Sequence, residues 1–210
     1  MPTSTFYNLP EEKRSKLVGA IKDEFSRVLF DEVSINKIIH AAEIPRGSFY
    51  QYFSDKNDML GFILLDYQKQ IFEQVKASLR ANNGDVFTMI NDVFAFTVAL
   101  VMEEKANNFC MNLFADIKVN SKFYLKWPMN ASDVKMYEEL KPLINFQMLD
   151  LRDENDFPNI LDTLFLICRT AIAEVFLNIS NCELVNLKYQ QKLELLGRGF
   201  MRNKECKKNA

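Results

Sequence analysis

Apolar residues recur at intervals of three and four along almost the whole chain, and helix-interrupting residues are scarce, with 6 Gly and 6 Pro in 210. That period matches one face of an α-helix, whereas a half-buried strand needs strict alternation. The spacing predicts an all-α protein with breaks where Gly, Pro, Asn and Asp cluster. Ala81-Asn82-Asn83-Gly84-Asp85 is the clearest break, and Trp127-Pro128 and Asp153–Pro158 are two further expected loops. A chain of this length holds one large domain or a small domain fused to a larger one.

A first helix is expected from Leu9-Pro10-Glu11-Glu12, with Pro at an early position and acids at the positive end of the dipole. Leu17, Ile21, Phe25 and Val28 would form its buried face. Ser34 is a good N-cap for a short second helix that packs Ile35, Ile38, Ile39 and Ala42 inward. A third begins near Pro45 or Arg46 and carries Phe49, Tyr52 and Phe53. Ser54 is then expected to cap a much longer helix running to about Leu79. Past the break, Asp85 to about Lys105 is apolar nearly all round, as in a central buried helix. Further helices are expected over 107–119, 132–150, 158–180 and 183–202. The last two carry apolar stripes: Ile160, Leu164, Ile167, Ala171, Val175 and Ile179 on one, Val185, Tyr189, Leu193, Leu196 and Phe200 on the other.

Charge does not announce a partner. The formal net charge is −2, and residues 1–56 hold eight Lys/Arg against eight Asp/Glu, so nucleic-acid binding must rest on local placement of groups. Cys110, Cys168, Cys182 and Cys206 show no CxxC spacing and read as reduced thiols. MPTSTFYNLPEEKR lacks an apolar signal core, and the apolar stretch Ile160 to Ile179 is interrupted by Asp162, Arg169 and Glu174. A cytoplasmic protein with no membrane partner is expected. With His40 as the only histidine, no Gly-rich phosphate loop, no metal-ligand spacing and no cysteine beside a plausible base, no catalytic arrangement can be assembled. Neither a cofactor nor a metal is expected.

Within residues 20–60, two short helices joined by a three- or four-residue turn precede a strongly capped long helix, which is the geometry of a helix-turn-helix. The segment IIHAAEIPRGSFYQYFSDKNDML closely resembles the TetR family signature: an Ala-rich helix, a turn, a short recognition helix ending in an aromatic run, and a Ser-x-Lys start to the next helix. Leu29, Glu43 and Pro45 depart from that pattern, standing where the family usually has Gly, Gly and Ser. The resemblance implies a helix-turn-helix domain over 1–54 and a helical ligand-binding and dimerisation domain over 55–210. An inserted helix needs small residues at its leading end, and Gly47 and Ser48 supply them. Arg46 can reach guanine or phosphate and Gln51 can pair with adenine. By resemblance, Tyr50, Tyr52 and Lys56 would lie on phosphates, with core packing the alternative for Tyr52 and a merely solvated lysine the alternative for Lys56, and Ser34 and Asn36 would act at the start of the second helix.

The resemblance also implies a homodimer joined through the last two helices, although a merely intramolecular core would give the same stripes. Phe94, Met102, Phe109, Met111, Phe114, Trp127 and Phe146 are candidate walls of a cavity for a small apolar or amphiphilic ligand, with plain core packing as the alternative. The expected partners are thus double-stranded operator DNA, a second copy of the chain and that ligand. A DNA-binding regulator answering a protein partner, or no effector, is the competing reading, and an enzyme fares worse.

Overall fold

A computed structural model describes residues 2–102, 108–109, 111–112 and 134–202. Expected helices that fall in 113–133, and Phe114, Trp127, Cys110 and Cys206 with them, lie outside the described residues. Among the described residues the protein is all-α, with one isolated antiparallel bridge between Leu149 and Met201. The chain divides into two compact units, one from Met1–Lys69 and Leu100–Phe123, the other from Gln70–Ala99 and Tyr124–Ala210.

The first unit opens with a short helix that periodicity does not reveal, α1 (Ser4–Tyr7). Its Phe6 is fully buried, with ring centroids of Phe53 and Phe62 both 5.0 Å away. Helix α2 (Glu11–Arg27) begins after Pro10, as expected, and buries Leu17, Ile21 and Phe25; Val28 has left the helix in extended backbone. A 3₁₀ turn (Phe30–Glu32) leads to α3 (Ile35–Ala41), where the Ser34 hydroxyl accepts from the Lys37 amide at 3.5 Å. Helix α4 (Arg46–Tyr52) starts after Pro45 and ends at extended Phe53. Helix α5 (Lys56–Ala81) contributes residues to both units. Its cap is Asp55 rather than Ser54: Asp55 Oδ1 accepts from the Asp58 amide at 2.8 Å, and Ser54 instead donates to the Asp58 carboxylate. Asp fits the role because a charged acceptor at the N-terminus also meets the helix dipole.

The second unit gathers the end of α5 with all but the last three residues of α6 (Val86–Met102), and with α7 (Val134–Leu140), α8 (Asp156–Leu177) and α9 (Cys182–Phe200). The break after α5 is a tight reversal with Asn83 at φ 55° and Gly84 at φ 76°. The Gly84 amide donates to Leu79 O at 2.8 Å, and its carbonyl accepts from the Asn145 amide at 3.0 Å. The expected helix over 132–150 gives way after Leu140 to two 3₁₀ turns, Lys141–Leu143 and Phe146–Met148. Pro142 explains this, since it offers no N–H to continue the ladder. Helix α8 starts earlier than expected, because the Asp156 carboxylate accepts from the Arg152 and Asp153 amides and Pro158 is tolerated in the first turn.

The apolar stripes of α8 and α9 pack inside this unit. Ile160, Leu164, Ala171, Val175, Val185, Tyr189 and Leu193 are all buried within the one chain. Ile167, Leu196 and Phe200 are half-buried, and Ile179 has passed beyond α8 into the next turn. A different set of leucines faces outward: Leu166 and Leu177 on α8, and Leu184, Leu187 and Leu195 on α9.

Candidate nucleic-acid interface

Four residues, Ala42 to Pro45, link α3 to α4. The Ile44 amide donates to Ile39 O at 3.0 Å, and Glu43 takes the left-handed conformation, φ 54°, that the turn demands. A side chain there costs about 1 kcal/mol relative to glycine. Glu43 is tied down by Lys16 at 2.6 Å, and the hydrogen bond and charge of that ammonium hold its carboxyl below the usual range.

Helix α4 is split lengthwise. Phe49 and Tyr52 are buried, and Phe49 packs on Phe53 at 6.0 Å between centroids. Arg46, Gly47, Tyr50 and Gln51 are exposed and Ser48 is half-buried. Tyr50 keeps about half its surface in solvent, at 51%. An added Cβ at Gly47 meets nothing within 4 Å, so the fold itself does not require glycine there. At the start of α3, Asn36 is exposed and Ser34 is half-buried, its hydroxyl used as the cap. Tyr52, for which a phosphate contact and core packing were both open, is 8% exposed and part of the core.

Lys56 is also placed differently from the resemblance. Its ammonium donates to the carbonyls of Phe30 at 3.1 Å and Asp31 at 2.8 Å and lies 5.2 Å from the Phe30 ring centroid. Those are the carbonyls of the 3₁₀ turn that precedes α3, so Lys56 fixes the entry to the helix-turn-helix. Two of its three ammonium hydrogens are engaged.

Sequence reasoning missed a carboxylate that holds the same entry. Glu24 is buried, accepts from the Ser34 amide at 3.1 Å through Oε1, and receives Arg27 Nε and Nη2 at 3.1 and 2.6 Å on Oε2. A buried carboxylate is tolerated because it is paired and hydrogen-bonded. Its position beside Phe25 on the inner face of α2 was the available signal. Asn112 was missed as well; its amide donates to the last carbonyls of α2, Phe25 O at 3.3 Å and Ser26 O at 2.9 Å.

The described candidate cavity residues divide between the two units. Phe109 is buried in the first unit, between Phe25 (6.4 Å between centroids) and a stacked Tyr67 (5.7 Å), while Met102 and Met111 are exposed. In the second unit Phe94 is stacked on Tyr189 at 4.3 Å, and Phe146 meets Phe157 edge-on at 4.8 Å. That unit also has an open cleft of about 440 Å³ between α6 and α9, with Asn91, Phe94, Ala95, Val98 and Ala99 on one wall and Cys182, Glu183, Asn186 and Gln190 on the other. Among the described residues no group of three or more His, Cys, Asp or Glu could hold a metal ion, and no helix is long and apolar enough to cross a membrane.

Two short helices set by a left-handed turn, the second split into a buried and a polar face, define a helix-turn-helix DNA-binding protein. Comparison with known proteins agrees on both parts of the chain. Residues 17–61 match the family described as bacterial regulatory proteins, tetR family, and residues 85–200 match the tetracyclin repressor-like C-terminal domain. The chain belongs to the TetR family and is a DNA-binding transcriptional regulator. It is similar to an HTH-type transcriptional regulator of Staphylococcus aureus (strain MRSA252), 25% identical over 141 residues that cover 62% of this chain and 76% of the relative. A TetR-family regulator from Pectobacterium atrosepticum shares the fold at 16% identity and a TM-score of 0.64, covering 92% of this chain and 96% of its own. Another, from Streptomyces coelicolor, does so at 16% identity and 0.56, covering 91% and 84%.

Proposed function

We propose that this regulator is a homodimeric repressor that grips double-stranded operator DNA with α3 and α4 and lets go when a small apolar or amphiphilic molecule binds its helical part. The observation that carries the DNA assignment is the polar face of α4, where Arg46, Tyr50 and Gln51 are exposed around a glycine the fold does not need. Arg46 carries donors that can reach guanine or phosphate and Gln51 an amide that can pair with adenine, and Tyr50 and Asn36 suit phosphates. The third hydrogen of Lys56 can join them, while the helix N-termini add positive ends to a neutral unit.

Support for the dimer comes from the exposed leucines of α8 and α9, since a monomer gains nothing by holding Leu177 at 66% and Leu195 at 63% exposure. Four helices, two from each copy, would cover them. The cleft between α6 and α9 suits a molecule with an apolar body and a polar end, because Phe94, Ala95, Val98 and Ala99 are alkyl and aromatic while Asn91, Asn186 and Gln190 offer amides and Glu183 a carboxylate. Selection of duplexes from a random library, followed by titration with a homologous series of amphiphiles, tests the reading. A selected sequence whose affinity falls as chain length rises is the expected result. A selected sequence bound equally well at every chain length would leave regulation by a protein partner ahead.

A further inference from the structure

Residues 2–9 precede the matched helix-turn-helix region, which begins at residue 17, yet they pack against the recognition helix. Helix α4 has only seven residues, so its last four carbonyls are a large share of its backbone acceptors, and no following turn of helix satisfies them. The Phe53 amide takes the Phe49 carbonyl at 3.0 Å. Thr3 takes two more: its amide donates to Tyr52 O at 3.0 Å, and its hydroxyl donates to Gln51 O. Phe6, one turn further, is fully buried against Phe53 and Phe62, so the arm is anchored rather than resting on the surface. Pro2 is buried too.

From these contacts we infer that the N-terminal arm is a positioning element for DNA reading: Thr3 caps the C-terminal end of the recognition helix and sets the backbone of Gln51, and Phe6 holds Thr3 in place. The inference rests on α4 being the reading helix. A seven-residue helix is too short to hold its own last turn rigidly in water. The arm supplies the missing partners at the residue whose side chain faces the base edges.

The test uses the full-length protein and a duplex selected from a random library, with an unselected duplex as the non-specific control. Thr3→Val removes the hydroxyl while keeping shape and the amide donor, and Thr3→Ser restores the hydroxyl. Thr3→Val should lose about two- to tenfold in affinity for the selected duplex, the range one hydrogen bond supports. Affinity for the control should stay unchanged, the Tm should fall by no more than about 4 °C, and Thr3→Ser should recover both losses. Phe6→Ala should lower the ratio of selected to control binding further. Wild-type discrimination by Thr3→Val, or an equal loss on both duplexes that Thr3→Ser does not repair, would overturn the inference. Arg46→Ala and Gln51→Ala run in parallel separate the two levels. If they leave the selected sequence preference intact, α4 is not the reader; if they abolish it and Thr3→Val changes nothing, only the arm's role fails.

Discussion

The Tyr189 hydroxyl on α9 donates to the main-chain carbonyl of Ile90 on α6 at 3.1 Å, in a buried site where the Cys168 thiol of α8 approaches the same oxygen at 4.0 Å. Three helices thus meet on one carbonyl. Phe94 stacks on the Tyr189 ring at 4.3 Å and closes the site on that side. Burial, the largest influence, pushes the Cys168 thiol up to about 12 and raises Tyr189 as well.

Tyr189→Phe should therefore destabilise the protein by about 1 kcal/mol, the usual worth of a single internal hydrogen bond. Both groups stay neutral in the folded state where the unfolded chain would ionise them. Their contribution is complete below pH about 9 and is lost as pH rises toward the folded values, so stability should fall in alkali. Cys168→Ala should show a shallower alkaline decline in urea unfolding, and site-resolved alkylation at neutral pH should label Cys182 long before Cys168. Equal labelling of the two would contradict the burial assigned to Cys168.

Gly84 stands at φ 76°, and a Cβ there would come within 3.0 Å of backbone atoms of Leu143, Ile144 and Asn145. Because backbone cannot swing aside as a side chain can, Gly84→Ala should cost on the order of 2 kcal/mol or more. Thermal unfolding gives the answer directly, and a Tm within a degree of the wild type would show that the turn relaxes freely.

At the helix-turn-helix turn, Glu43→Gly should be more stable than Glu43→Ala by about 1 kcal/mol, since both lose Lys16 but only glycine relieves the left-handed backbone. The Lys16 pair itself is a surface contact. With the Glu43 carboxyl held below its ordinary value, the pair's contribution is present above the unfolded pKa and fades as pH falls through the folded one. Comparing the three proteins by urea unfolding at pH 7 and pH 3 reads both effects; indistinguishable alanine and glycine variants would remove the strain argument.

Leu193 is 7% exposed within a single chain, whereas Leu187 and Leu195 are 55% and 63% exposed. Leu193→Glu should consequently unfold the protein, while Leu187→Glu with Leu195→Glu should yield a folded monomer with weakened DNA binding. Sedimentation combined with circular dichroism distinguishes them, and a wild-type chain that sediments as a monomer at micromolar concentration would end the dimer proposal.

On DNA, Tyr50→Phe should weaken selected and random duplexes by similar factors, as a phosphate contact does, while Gln51→Ala should relax preference at one base pair by about 1–3 kcal/mol. Binding measured on a panel of single-base variants settles which residue reads. A uniform loss for Gln51→Ala would assign it to the backbone instead.

Where helices are long and their spacing regular, the sequence was sufficient: α2, α5, α6, α8 and α9 lie close to their expected ranges, and the turn chemistry located α3 and α4. Local chemistry with two plausible donors was harder. Ser54 and Asp55 are both competent caps, and only the position of the Asp58 amide decides between them. Helix α1 is four residues long, too short to show a period, and forms because Phe6 finds a place in the core. Tyr52 and Lys56 show what resemblance leaves out: one ring packs in the core, and one ammonium is bound to carbonyls contributed by residues about 25 positions away. The aromatic and methionine side chains singled out as cavity walls were chosen by composition, which does not say which helices face each other.

The arm has a corollary for handling the protein at the bench. Thr3 sits in extended backbone, φ −74° and ψ 165°, with its amide committed to Tyr52 and a buried proline before it. A tag or fluorophore attached at Pro2 or Thr3 would therefore compete with that bond at the end of the recognition helix. Operator affinities are accordingly comparable only between preparations that leave these two residues unaltered.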